Sequence, residues 1–137
     1  MDDLTSVLLR LAEEYFAPET VAFAGLDPDG GLALLPEAGE AAESRARSVT
    51  GRVREICRYP FAVVCRTGAL SEGRKAAMKE RLEGFGLWLE QKREFPALSN
   101  GRLLSVGRTA SACQEENGGN RTEGWVIHLA ARYEIIF

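Results

Sequence analysis

The stretch from Trp125 to Phe137 alternates between apolar and mixed positions with a period of two. Side chains of a β-strand point alternately to opposite faces, so this period predicts a strand with one face in the core. Burial of that face, at roughly 25 cal/mol per Å² of apolar surface, should contribute strongly to stability. The core face is predicted to hold Trp125, Ile127, Leu129, Ala131, Tyr133, Ile135 and Phe137. The other face, with His128, Arg132 and Glu134, is expected to meet solvent or another subunit.

Two segments have the spacing of amphipathic helices. The first follows a capping Asp2 or Asp3 and ends at Pro18, with a buried stripe of Leu4, Val7, Leu8, Leu11 and Tyr15. The second is long, begins after Ser71 as N-cap, and ends near Lys92. Its stripe is Met78, Leu82, Phe85 and Leu89, with Trp88 at the edge.

Two glycines, Gly84 and Gly86, lie inside the long helix. Each weakens a helix by about 1 kcal/mol relative to alanine. We therefore expect them to permit close packing against the sheet.

Strand patterns fill the segments between the two helices. An Asp-Gly step within residues 27–30 predicts an antiparallel hairpin of Val21–Leu26 with Gly31–Leu35. Residues 36–43 are small and acidic and are predicted to form a loop. Residues 44–56 form an extended basic segment with a bend or bulge at Gly51. Residues 59–67 form an interior strand.

After the long helix, residues 103–113 predict another strand, which pairs with the terminal strand. Residues 114–124 are a polar, glycine-rich connection between the two. The resulting order is helix, hairpin, two strands, long helix, two strands. It predicts an α+β fold, a mainly antiparallel sheet packed on one face by the N-terminal helix and the long central helix. The length of 137 residues predicts a single domain over 1–137.

Composition excludes several classes of protein. The three cysteines, Cys57, Cys65 and Cys113, form no C-x-x-C pair, and only one histidine is present, which indicates reduced thiols in a cytosolic protein. The N-terminus lacks the pattern of a signal peptide, and no apolar stretch has membrane-spanning length. We expect no metal, no cofactor and no membrane partner.

Charge is unevenly distributed along the chain. Residues 1–43 hold ten acidic side chains and one basic one, whereas the remainder holds sixteen basic and ten acidic ones. Such asymmetry suits head-to-tail contacts between copies or docking on a partner. Neutralisation within one folded subunit is an equally good explanation.

Catalytic signatures are missing. His128 has no sequence signature around it and is expected to be hydrogen-bonded or solvent-facing. No phosphate-binding loop is present, and the Glu13-Glu14 and Glu115-Glu116 pairs are best explained as solvated charge. We therefore predict no enzymatic activity and no catalytic residues.

Four arginines stand out: Arg45, Arg47, Arg52 and Arg54. The members of each pair are two residues apart, so in an extended segment they project from one side and make a basic ridge. Such a ridge suits nucleic-acid phosphates, although interleaved aromatics for base stacking are missing. The alternative is a charged strand protected against edge aggregation.

Hydrophobic landmarks follow one another in a characteristic order: Arg54–Arg66, then Phe85–Gln91 (FGLWLEQ), Phe95–Leu98 (FPAL), a strand over Leu103–Ala110, and the terminal strand. Leu34-Leu35-Pro36 adds a short strand closing on proline. This order resembles the minor capsid or tail-terminator family of long-tailed phages and prophages, over roughly Leu4 to Phe137.

The resemblance implies a structural role in a virion. Copies of such a protein assemble as a ring, typically of six, at the head-proximal end of the tail tube. The ring stops tail polymerisation and contributes to head-tail joining through the head-tail connector protein. The candidate residues Arg45, Arg47, Arg52 and Arg54 would then meet a neighbouring subunit or line a lumen through which DNA passes. A small nucleic-acid-binding module remains the alternative.

Overall fold

The computed structural model describes residues 2–17, 19–24, 31–67, 72–114 and 123–137. Its two helices are α1 (Asp2–Phe16) and α2 (Glu72–Gln91). Its strands are β1 (Val21–Phe23), β2 (Gly31–Pro36), β3 (Ala41–Arg47), β4 (Val53–Thr67), β5 (Ala97–Leu98), β6 (Gly101–Arg108), β7 (Cys113–Gln114) and β8 (Glu123–Ile136).

The two longest strands form the centre of the sheet. β4 and β8 pair antiparallel from Arg54↔Ile136 to Thr67↔Glu123. On the other side of β4, β3 pairs with its first half and β2 with its second half. On the other side of β8, β6 and β7 pair with successive parts of the strand. The sheet is mainly antiparallel, which confirms the predicted α+β class, but more of the chain is strand than the sequence indicated.

Both helices contribute to one apolar cluster on one face of the sheet. The terminal strand has the predicted orientation, because its core-face residues from Trp125 to Ile135 are buried or packed against that cluster. The prediction is wrong for Phe137, which follows the end of the strand and is 63% exposed. The predicted helix stripes are confirmed as well, except at Met78, which is only half-buried and lies outside the cluster. The fully buried helical side chains are Leu4, Leu8, Phe16, Leu82, Phe85 and Leu89.

The glycines of α2 lie at points of close approach. A Cβ on Gly84 would lie 2.5 Å from the Tyr15 hydroxyl oxygen, and one on Gly86 would lie 2.5 Å from the Arg108 side chain. Real Cβ atoms do not come so close to neighbours. The expected close packing against the sheet is therefore confirmed for Gly86, which approaches Arg108 of β6 and Ile127 of β8, whereas Gly84 packs against helix α1 instead.

A hydrogen-bonded ion cluster joins α2 to β6. The Arg108 guanidinium donates to Glu90 at 2.8 and 2.9 Å and to Glu83 at 2.8 Å, and the backbone N–H of Arg108 also donates to Glu90. Glu83 further accepts the backbone N–H of Ala112. These hydrogen bonds lower the pKa of Glu90 and raise that of Arg108.

The predicted hairpin near the N-terminus is wrong. β1 and β2 pair in parallel, with Val21 opposite Leu32 and Phe23 opposite Leu34. Ala24 adopts a left-handed conformation, φ 61°, and its N–H donates to the Leu34 carbonyl, so the chain turns away directly after β1. The parallel arrangement buries Val21 and Leu32 together in the main core. The Asp-Gly step itself lies outside the described residues.

The extended basic segment predicted over residues 44–56 is also wrong. A turn at Ser48–Arg52 divides it into β3 and the start of β4, and β3 begins inside the predicted loop. The Ser48 N–H donates to the Arg52 carbonyl at 2.8 Å, and Gly51 has a φ of 88°. Glycine is favoured at such a conformation, so the predicted bend at Gly51 is the turn of a hairpin.

The second predicted strand pair is confirmed with one break. Residues 109–112 separate β6 from β7, but both pair with β8 as expected. Ser71 and residues 115–122 lie outside the described residues. In the part of the chain that is described, no helix is long and apolar enough to cross a membrane.

Candidate interaction surface

The β3–β4 hairpin is the most solvent-exposed part of the described sheet. Every residue from 41 to 52 is exposed, and the apolar side chain of Val49 lies fully in solvent at its tip. All four sequence-predicted site arginines belong to this hairpin. It therefore presents concentrated positive charge next to an exposed apolar side chain.

The register of the hairpin places the four arginines on two faces. Arg45 lies opposite Glu55 and Arg47 opposite Val53, whereas Arg54 lies opposite Ala46. Directly opposed residues share a face, so Arg45 and Arg47 project from the face that Arg54 does not. A single basic ridge is thus excluded, because the turn folds the segment back on itself. At the turn, one concavity is bordered by Arg47, Arg52 and Arg54.

A second concavity lies on the sheet face opposite the helices. We call it the arginine groove; it is bordered by Arg52, Arg54 and Arg102. The remaining lining residues are Ser99, Asn100, Gly101, Glu134 and Ile136. Arg102 lies directly opposite Glu134 across β6 and β8. Three strands, β4, β8 and β6, thus bring together residues that are far apart in sequence.

Glu134 is the buried acid of the groove. It is only 4% exposed, although its face of the terminal strand was expected to meet solvent or another subunit. Its Oε1 lies 3.4 Å from the Nε of Arg54 and 3.7 Å from that of Arg102. Both distances exceed the usual 2.7–3.2 Å of an N–H···O hydrogen bond.

The two arginines of these ion pairs remain largely in solvent. The side chains of Arg54 and Arg102 are 60% and 66% exposed. A guanidinium has five N–H donors, and one carboxylate at these distances engages few of them. The groove therefore retains positive charge and donors directed to solvent, a surface that suits carboxylate or phosphate groups.

Gly101 permits a close approach of β6 to β8 beside Glu134. A Cβ at this position would overlap the carbonyl oxygen of Glu134, so only glycine lets the start of β6 approach β8 so closely. No sequence pattern indicated Arg102, Gly101 or Glu134 as site residues. Only the register of β6 on β8, together with its bulge between Leu103 and Ser105, brings them to the hairpin.

Two acids of the N-terminal third form ion pairs with arginines of the same chain. Glu19 pairs with Arg81 at 2.9 Å and Glu43 with Arg132 at 3.0 Å, whereas Glu37 lies 2.9 Å from the imidazole of His128. For Glu19 and Glu43 the second explanation of the charge asymmetry holds. Glu13 and Glu14, on the solvent side of α1, are exposed and have no ion pair among the described residues.

Several polar side chains outside the groove are hydrogen-bonded to one another. Nδ1 of His128 lies within 3.0 Å of both carboxylate oxygens of Glu37, as expected for a hydrogen-bonded histidine. The Tyr133 hydroxyl donates to Glu40, and the Cys57 thiol to Glu55 at 3.4 Å. Burial is the main cause that raises the pKa of both Tyr133 and Cys57.

No metal-binding arrangement appears in the described ranges, since no group of three or more His, Cys, Asp or Glu side chains is placed to hold an ion. Burial raises the pKa of Cys65 to about 11. The described cysteines are all free thiols.

The fold has a counterpart among solved structures. No known protein family and no curated protein matches the sequence. A chain from the virion of a native gene transfer agent (GTA) particle has a similar structure, with a TM-score of 0.60 and 15% sequence identity. The similarity covers 95% of this chain and 96% of that chain. The protein therefore has the fold of a virion component.

Proposed function

We propose that the protein is a structural component of a phage or prophage particle and acts as its tail terminator. The observation that carries the proposal is the similarity to the GTA virion chain along nearly the whole length of both chains. The order of hydrophobic landmarks in the sequence supports it independently. The pairing of His128 with Glu37 and of Tyr133 with Glu40 is consistent with a structural protein that is not an enzyme.

In this role, copies form a ring, typically a hexamer, at the head-proximal end of the tail tube. One side of the ring contacts the tail tube protein and stops its polymerisation, and the other offers a surface to the head-tail connector protein. DNA passes through the lumen. Identical subunits in a ring meet through two different surfaces, and a fold with one basic, exposed hairpin and one acidic helix offers such a pair.

Electron microscopy of purified tail tubes mixed with the protein tests the proposal. We expect a ring at one end of each tube and no further growth when tube protein is added. An unrelated protein of similar size and charge serves as the control. Tubes that bind none of the protein, or that continue to grow at both ends, would refute the terminator role.

The second candidate, a nucleic-acid-binding module, is favoured by the arginine groove. It predicts binding to duplex DNA that weakens steeply with salt, because bound arginines release counterions from phosphates. Fluorescence anisotropy with a labelled 20-base-pair duplex, at low and moderate salt, measures this. No binding at low salt would remove the candidate.

A further inference from the structure

Two segments of the chain carry net charges of opposite sign. The hairpin, residues 41–58, carries five arginines and two glutamates, a net charge of +3, although the chain as a whole carries −3. Helix α1 carries Asp2, Asp3, Glu13 and Glu14 against Arg10, a net charge of −3. The two segments match each other in magnitude and are opposite in sign.

The fold leaves the key groups of both surfaces unpaired. Among the described residues, no ion pair or hydrogen bond engages the side chains of Arg47 and Arg52 at the turn, nor those of Glu13 and Glu14 on α1. Other acids of the N-terminal third are paired internally, so this residual charge is not a general property of the surface.

We propose that the hairpin turn and arginine groove of one copy dock on the acidic solvent face of α1 of a second copy. The inference rests on the proposed function, for which it identifies the subunit contact. Charge complementarity favours a second copy of the chain as the partner, since the chain outside the hairpin carries six net negative charges.

The composition of the basic surface also suits a protein partner. Its cations are all arginine, with no lysine in residues 41–58 or 99–102, and arginine is enriched at protein interfaces whereas lysine is depleted. The exposed Val49 and Ile136 add apolar area beside the arginines. Only Phe137 offers an exposed aromatic ring nearby, so base stacking has little support.

The buried Glu134 adds a geometric reason. It lies between Arg54 and Arg102 and restricts both guanidinium groups before a partner arrives. Side chains that are already restricted lose less rotamer entropy on binding. Because the hairpin and α1 are different surfaces, a docked pair retains one free helix on the first copy and one free hairpin on the second. Further copies can therefore add until the ring closes.

Charge reversal tests the contact directly. Sedimentation equilibrium of the full chain at low salt, up to millimolar concentration, measures self-association. We expect the Arg47→Glu/Arg52→Glu variant and the Glu13→Lys/Glu14→Lys variant each to weaken it at least tenfold. The variant with all four reversals should recover most of the lost affinity, since its charges are again complementary. Arg93→Glu, an exposed arginine outside the hairpin, is the matched control and should change affinity less than twofold.

Several outcomes would overturn the inference. They are a wild-type chain that stays monomeric at millimolar concentration, reversals that leave affinity unchanged in folded variants, and a fourfold variant that does not recover. Circular dichroism establishes that each variant is folded. Duplex DNA binding that Arg47→Glu/Arg52→Glu abolishes, without self-association, would assign the surface to nucleic acid instead. A chain that caps tail tubes but fails these tests would refute this contact and leave the terminator role intact.

Discussion

The two faces of the sheet satisfy their charges in different ways. On the helix-covered face, Arg108 donates four hydrogen bonds of 2.8–2.9 Å to Glu83 and Glu90 of α2. On the opposite face, Arg54 and Arg102 share one carboxylate oxygen at 3.4 and 3.7 Å. The first arrangement is complete within the chain, and the second leaves donors for something else.

This difference separates what holds the fold from what is available for binding. The helix-covered face combines apolar burial with short ion pairs, so a partner would have little to add there. At the arginine groove, the exposed guanidinium groups of Arg54 and Arg102 lie beside a single buried acid, Glu134. Substitutions at one residue of each region, each compared with a substitution at a nearby position, test this difference.

The largest expected effect is on the helix-covered face. Phe85 is 1% exposed and contacts the rings of Tyr15, Phe16 and Trp88, so Phe85→Ala should destabilise the protein by about 3–5 kcal/mol. Leu87, two residues along α2, is 46% exposed and provides the control; Leu87→Ala should cost less than about 1 kcal/mol. Urea denaturation measures both. Equal losses of stability in the two variants would contradict the assignment of Phe85 to the core.

A smaller effect is expected at the arginine groove, where side chains are loosely paired but backbones are close. Gly101→Ala should destabilise by about 1–3 kcal/mol, because its Cβ meets the Glu134 backbone rather than a movable side chain. Gly107→Ala, on the same strand, places its Cβ 3.6 Å from Glu90, an ordinary contact, and should be nearly neutral. Thermal unfolding measures the difference in stability between the two variants. If Gly101→Ala is as mild as Gly107→Ala, the groove is not rigid.

The smallest expected effect is on the pH dependence of stability. Hydrogen bonds from Arg108 hold the pKa of Glu90 below its usual 4.5. A lowered pKa means that this pair stabilises the fold above pH 4.5 and that its contribution is lost as pH falls through the lower, folded-state value. The melting temperature of the wild type, scanned from pH 7 to pH 2.5, should therefore fall more steeply below pH 4.5 than that of Glu90→Gln. Parallel curves would show that the pair adds no stability.

Periodicity predicted most of the core from sequence. The alternation of the terminal strand and the helical stripes depend on local chemistry, and their core sides were correctly assigned except at Phe137 and Met78. The parallel pairing of β1 with β2 was missed because an Asp-Gly step is a strong local signal for a hairpin, whereas the observed pairing buries Val21 beside Leu32. Long-range burial overrode the local signal.

The candidate surface was predicted only in part. Arg52 and Arg54 were found because they are neighbours in sequence. Arg102 and Glu134 could not be found, since their proximity depends on the register of three strands and on the missing side chain of Gly101. The sheet face from which Arg45 and Arg47 project could not be predicted either, because it depends on a turn of five residues that reverses the direction of the chain.

The place of β8 in the sheet also determines how the protein can be made. This strand lies between β4 and β6, yet it is translated after every other described element. While the ribosome is still adding residues 123–136, β4 and β6 have no strand between them, and the core lacks Ile127, Leu129 and Tyr133. Completion of the sheet must therefore wait for release of β8 from the exit tunnel, and nascent chains expose two open strand edges until then.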